Sequence, residues 1–198
     1  MVKKGLFRRA RSADAAKERR TLKERGATMV EFALVAPLFF LVVFGGIELG
    51  LMFRSYLALE DLSRTAGRIA SIERGDPMAD AAILDQIASA VGPLQGDVTR
   101  VVIFSAPSLN TEVPAGCDTA GASIPGFCNV YTVTDGDVAS VAMSAQTTPQ
   151  TALTPASRQS PNNVGIYIEF DYTYATGFFD TLTLSSTSVE AIERDLNS

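Results

Sequence analysis

The sequence predicts an α+β protein: a long N-terminal helix, first transmembrane and then extracytoplasmic, carrying a small antiparallel-sheet head. Three observations lead there. Sixteen residues between Glu31 and Glu48 carry no charge. Charge is split sharply along the chain. The apolar pattern changes from helical spacing to alternation after about residue 98.

The apolar stretch from Ala27 to Phe53 contains only those two acids among twenty-seven residues. As a helix rising about 1.5 Å per residue it spans roughly 40 Å, enough to cross a hydrocarbon core of roughly 30 Å with tilt. The alternative is a buried helix of a soluble domain. Length without charge and asymmetric flanks argue against it. Residues 1–26 hold ten Lys or Arg and three acids, a net +7, while the rest holds seven Arg and nineteen acids, or −12; together these make the chain's −5. The positive-inside rule places residues 1–26 in the cytoplasm and everything after Phe53 outside it. Topology explains the basic run, so no nucleic-acid partner is expected.

A basic leader ends at Gly26, a small residue follows at Ala27, and Glu31 is the fifth residue from Ala27. This arrangement resembles the type IV prepilin signal. The wider string from Glu24 to Gly50, ERGATMVEFALVAPLFFLVVFGGIELG, is very similar to the TadE-like family of the tight-adherence (Tad/Flp) pilus system, with looser likeness to Arg68. The resemblance implies a pilin-like pseudopilin of the inner membrane, single-pass, non-enzymatic, serving assembly, initiation or anchoring of an adhesion pilus. It implies cleavage by a prepilin peptidase between Gly26 and Ala27. It also implies that Glu31 pairs with the new α-amino group of a neighbouring subunit, turning two charges that are costly near lipid into a pair. Expected partners are membrane lipid, the peptidase, other pilins or pseudopilins, and Tad secretion components. The competing reading is an uncleaved, signal-anchored periplasmic binding or envelope protein. An ordinary secretory signal fits less well, because the apolar run is too long and lacks an Ala-x-Ala site.

Within the span, Pro37 is expected to kink the helix, and Gly46 and Gly50 satisfy a Gly-x-x-x-Gly spacing that can favour helix association. Glu48 lies five residues before Phe53 and is expected simply to reach the interface. The leader, residues 1–26, is expected to be a short amphipathic helix around Ala13–Glu24 or disordered.

Beyond the span, Leu59, Leu62, Ala66, Ile69 and Ala70 recur at helical spacing. They extend one helix from about Ala27 to Glu73, with an apolar stripe to carry the head, residues 54–198. A second helix is expected over Met78–Val91, with Asp76 as N-cap and Pro77 at its first position. Strands are expected over Val98–Ala106, over Tyr131–Thr134 and Val138–Met143 as a hairpin about Asp135-Gly136, over Val164–Ala175, and over Leu182–Ile192 after a turn at Phe178–Asp180. Residues 107–163 read as a long polar connection rich in Pro, Ser and Thr.

Cys117 and Cys128 are the only cysteines. Outside the cytoplasm a disulfide between them is expected; metal ligation is the alternative, disfavoured by the absence of His and of a C-x-x-C spacing. The chain has no histidine, which removes Ser-His-Asp, Cys-His and His-metal chemistry. It also has no Walker A, GxGxxG or GxSxG run. Asp135 and Asp137 read as turn residues rather than an acid/base or calcium pair. No catalytic residue, cofactor or metal is expected.

Overall fold

Between Lys4 and Ile72 only Pro37 lacks a backbone donor for the helix, and the chain uses the whole stretch as one element. The computed structural model describes residues 4–73, 76–117, 123–148, 163–177 and 180–191, with side chains in the first helix described at 26 and from 28 onward. Helix α1 is Lys4–Ile72 and continues through Pro37. Its start lies well before the Ala27 expected from the apolar run. The chain divides into two units, Met1–Ile47 and Glu48–Ser198.

The first unit is helix alone among its described residues. Its large apolar side chains, Met29 to Ile47, lie open on every side. Among the described residues this is the one helix long and apolar enough to cross a membrane, and none of its most apolar stretch is buried within the protein. Such all-round apolarity suits lipid or other helices, not water.

The second unit begins with the end of α1 and continues through α2 (Ala79–Val91), β1 (Gly96–Ala106), β2 (Cys128–Thr132), α3 (Val138–Thr147), β3 (Asn163–Tyr172) and β4 (Leu182–Glu190). The strands form one antiparallel sheet in the order β2-β1-β3-β4. Alternation sets the two faces. Ile166, Ile168, Phe170 and Tyr172 of β3 are all fully buried in one core. Into the same core α1 puts Leu59, Leu62, Ala66 and Ala70, and α2 puts Ile83, Leu84 and Ile87. A register shift between Val98 and Arg100 re-aims β1, so that Val98 joins Val101 and Ile103 on that face. The opposite face carries Val102, Phe104, Ala106 and Val130.

Helix α2 starts one residue later than expected. Asp76 does not cap it directly; its Oδ1 accepts from the Met78 N–H at 2.7 Å, closing the turn that precedes the helix. Strand β2 starts at Cys128, earlier than Tyr131. The strand expected over Val138–Met143 is instead α3. Asp135 (φ 54°) and Gly136 (φ 70°) do turn the chain with the left-handed backbone a hairpin would use. Asp137 then redirects it: its side chain accepts from the Ser140 N–H and caps a helix. Val138, Ala142 and Ala145 provide the buried stripe at helical spacing. The expected 107–163 connection therefore contains a strand and a helix, and its stretch 149–162 lies outside the described residues, as do Phe178, Phe179 and Ile192.

Gly165 of β3 has no room for a side chain. A Cβ built there would stand 2.2 Å from the Phe104 ring, which lies across the strand. Phe104 is itself fully buried, so its ring has nowhere to retreat. Gly165→Ala should cost about 1–3 kcal/mol of head stability through overpacking. Denaturant unfolding followed by tyrosine fluorescence would measure this, and an unchanged midpoint would contradict the packing.

Candidate functional site

Two charged groups mark the apolar half of α1, and their surroundings differ completely. Glu31 is exposed, as are its neighbours Val30 and Phe32. Among the described residues it makes no hydrogen bond or ion pair. Gly26 is also exposed, the side chain of Ala27 lies outside the described residues, and the Gly26–Ala27 bond sits within helical backbone. Pro37 is exposed inside α1.

Glu48 does not simply reach an interface, contrary to the expectation from its position. It is only 5% exposed. The Tyr172 hydroxyl donates to its Oε1 at 3.0 Å and the Ala175 N–H to the same oxygen at 2.8 Å. The Thr176 N–H donates to Oε2 at 3.2 Å. One carboxylate thus gathers three donors from the end of β3 and the turn after it. Donors to a carboxylate make stronger bonds than neutral pairs. The arrangement ties α1 to the β3–β4 connection at one point. Burial, and then the bond to Glu48, push the Tyr172 hydroxyl up to about 12. Nothing in the local sequence pairs Glu48 with Tyr172, 124 positions away.

A second buried carboxylate was equally invisible in the sequence. Asp80 on α2 accepts from Asn129 Nδ2 at 2.6 Å and from the Tyr131 hydroxyl at 2.7 Å. It holds the short edge strand β2 to the helix layer. Arg100 and Glu169 form an ion pair on the other face of the sheet, with the Arg100 guanidinium 6.0 Å from the Tyr167 ring centre.

Cys117 and Cys128 form the expected disulfide. Both are fully buried and pack with Val102, Phe104, Ala106 and Val130, with Val113 and Ile124 at the margin. The bond does more than close a loop. It fastens the segment after β1 over the second face of the sheet, which no helix covers among the described residues. Among the described residues no cluster of His, Cys, Asp or Glu is arranged to hold a metal.

The described site is thus a helix, not a cleft: an apolar surface with one solitary carboxylate, followed by a helix stripe committed to a head. The comparisons fall on that helix. Residues 26–68 match the TadE-like protein family. The matched segment takes in Gly26, Glu31, Glu48 and, of the head-bearing stripe, Leu59, Leu62 and Ala66. No curated protein and no solved structure matches the chain. The matched range begins at the expected cleavage position and ends where the expected likeness ends.

Two outcomes follow. The disulfide closes a loop with a separation of 11 residues, so Cys117→Ser with Cys128→Ser should cost about 2–3 kcal/mol in the chain-entropy model, and more if the second face opens. Chemical unfolding with and without reductant checks it; a reductant-insensitive midpoint would show the bond to be dispensable. Tyr172 supplies a pH signature. Its folded value lies above the ordinary tyrosine value of about 10, so the folded state holds a proton that the unfolded chain releases. Its stabilising contribution is complete below about pH 10 and is lost as pH rises toward about 12. In Glu48→Gln, ultraviolet titration should find Tyr172 ionising at lower pH than in the parent, and an identical curve would refute the bond.

Proposed function

We propose that this chain is a TadE-like pseudopilin, a non-enzymatic component of a Tad/Flp-type adhesion pilus. In this reading the N-terminal segment is cytoplasmic, the apolar part of α1 lies in the inner membrane, and the head stands outside the cytoplasm. A prepilin peptidase cuts between Gly26 and Ala27. Glycine weakens a helix interior by about 1 kcal/mol relative to alanine, so the bond lies beside a residue that eases local opening of the helix for cleavage.

The observation that carries the reading is Glu31. It is an exposed carboxylate that makes no hydrogen bond or ion pair among the described residues, on a helix surface made largely of apolar side chains such as Met29, Val30, Phe32 and Leu34, inside the family-matched segment. A charge left alone at membrane depth is costly and calls for a partner from another molecule. The α-amino group freed at Ala27 of a neighbouring subunit has the right sign and the right depth. Pairing of the two sets the axial register between helices, and the remaining apolar surface packs against lipid or further helices. Assembly, initiation or anchoring of the filament follows from such packing. The partners are then the peptidase, other pilins and pseudopilins, and the Tad secretion components.

The test is N-terminal and intact-mass analysis of membrane-extracted protein from cells with and without the peptidase. A peptidase-dependent start at Ala27 is expected. Glu31→Ala should insert and be cleaved but fail to support surface pili, seen by shear recovery of filaments. A start at Met1 in both strains would instead favour an uncleaved signal anchor, and normal pili from Glu31→Ala would remove the proposed pairing.

A further inference from the structure

The head's sheet has two edges, and the chain treats them differently. β2 is five residues long and its outward groups are largely occupied. Cys128 and Ile124 exchange backbone bonds at 3.0 and 3.1 Å, and the Val130 N–H donates to Ser123 Oγ at 3.0 Å. β4, at the opposite edge, is nine residues long.

Which β4 groups point outward follows from the ladder. The Thr173 N–H donates to the Gln95 carbonyl of the segment leading into β1. In an antiparallel ladder both backbone groups of a residue point the same way and the direction alternates. Odd-numbered residues of β3 therefore bond β1, and even-numbered ones bond β4. The β3–β4 register is unbroken from Leu182 to Glu190 and pairs even with even, as in Ile168 with Ser186. Thr183, Ser185, Thr187 and Val189 are left with their N–H and C=O groups aimed away from the sheet. Among the described residues no partner meets them.

Edges of this length are ordinarily guarded by Lys, Pro, a bulge or a covering element. Between Asp180 and Ala191 there is no Lys, Arg, Pro or Gly, and the register shows no bulge. Carboxylates mark both ends. Asp180 precedes the strand, Glu190 closes it, and Asp171 accepts from Thr183 Oγ1 at 2.7 Å.

We infer that β4 is a strand-addition site for an extended segment of a different polypeptide, one carrying Lys or Arg near the ends of the segment. A second copy of this chain fits poorly. Antiparallel β4–β4 pairing requires a two-fold axis perpendicular to the sheet. The Glu48–Ile72 part of α1 lies on one face of that sheet, with Ser63 Oγ 2.8 Å from Ser186 Oγ. A half-turn about that axis reverses the Glu48–Ile72 part of α1, and in the register centred on Ser185 it sets Asp180 of one copy opposite Glu190 of the other, so that like charges face each other. Pairing β4 with another copy's β2 meets the Ile124–Cys128 bridge and Ser123. This inference rests on the head's sheet, not on cleavage or on the role of Glu31.

The test uses the full chain in detergent micelles and a synthetic nine-residue peptide of alternating Thr and Val with Lys at both ends, beside an analogue with Glu at both ends. Hydrogen exchange should show new protection at Thr183, Ser185, Thr187 and Val189. The Lys-ended peptide should bind at least about fivefold tighter than the Glu-ended one, from two opposite-charge cross-strand pairs. Thr187→Pro deletes an outward N–H that no ladder bond uses, so it should keep the parent's melting curve and weaken binding at least about tenfold. Ser185→Lys, which adds a guarding charge and no backbone constraint, should weaken the Lys-ended peptide likewise. Absence of binding, protection at Val130 and Thr132 in place of β4, unchanged affinity in both variants, or a chain dimer that Thr187→Pro dissolves would each overturn the proposal.

Discussion

A sheet with apolar residues on both faces has to be covered twice, and this constraint shapes the head. Leu59, Leu62, Ala66 and Ala70 of α1, with Ile83, Leu84 and Ile87 of α2, cover one face. Among the described residues no helix lies on the second face. Its Val102, Phe104 and Val130 are covered by the segment after β1, which contributes little apolar surface beyond Val113, Ile124 and the cysteines. A short polar segment gains little from burial and would leave readily, because ordering each residue costs about 1–2 kcal/mol of entropy. Linking Cys117 to Cys128 at the start of β2 removes part of that cost. The cysteines are themselves part of the covering layer.

The same helix has to live in two surroundings. From Met29 to Ile47 its side chains, Glu31 apart, are apolar all round and open. From Glu48 onward it is one-sided, with a stripe for the core and exposed groups such as Arg64 and Leu57 elsewhere. Glu48 stands at the change. Its carboxylate is buried, yet fully engaged by the Tyr172 hydroxyl and two backbone N–H groups. A buried charge survives only with such company. Because the donors come from the end of β3 and the following turn, the helix is fixed where the head begins by directional bonds as well as by a stripe of aliphatic contacts. Glu31 is the opposite case, an exposed carboxylate that makes no hydrogen bond or ion pair among the described residues.

Much of this was legible in the residues. A long charge-free run marks the apolar helix, whose open side chains suit lipid or other helices rather than water. Helical spacing through Ala70 and strict alternation through β3 each name a buried face. Lack of histidine and of nucleotide motifs removed most chemistry, and the only two cysteines had one obvious pairing. Where the reading failed, a local signal was outweighed. Asp135-Gly136 carried the hairpin conformation, but Asp137 supplied a helix cap immediately afterwards, and small residues at 142 and 145 fitted against the core as a helix.

The sequence by itself determined the apolar helix, the place of Gly26 and Glu31 within it, and the faces of the longer strands, because each depends on neighbours a few residues away. Only the tertiary structure decided the partners of Glu48 and Asp80, the covering of the second face by the disulfide segment, and which strand stands at which edge. Those depend on groups brought together from distant parts of the chain. A carboxylate's local sequence is the same whether it ends in water, in lipid or among three donors.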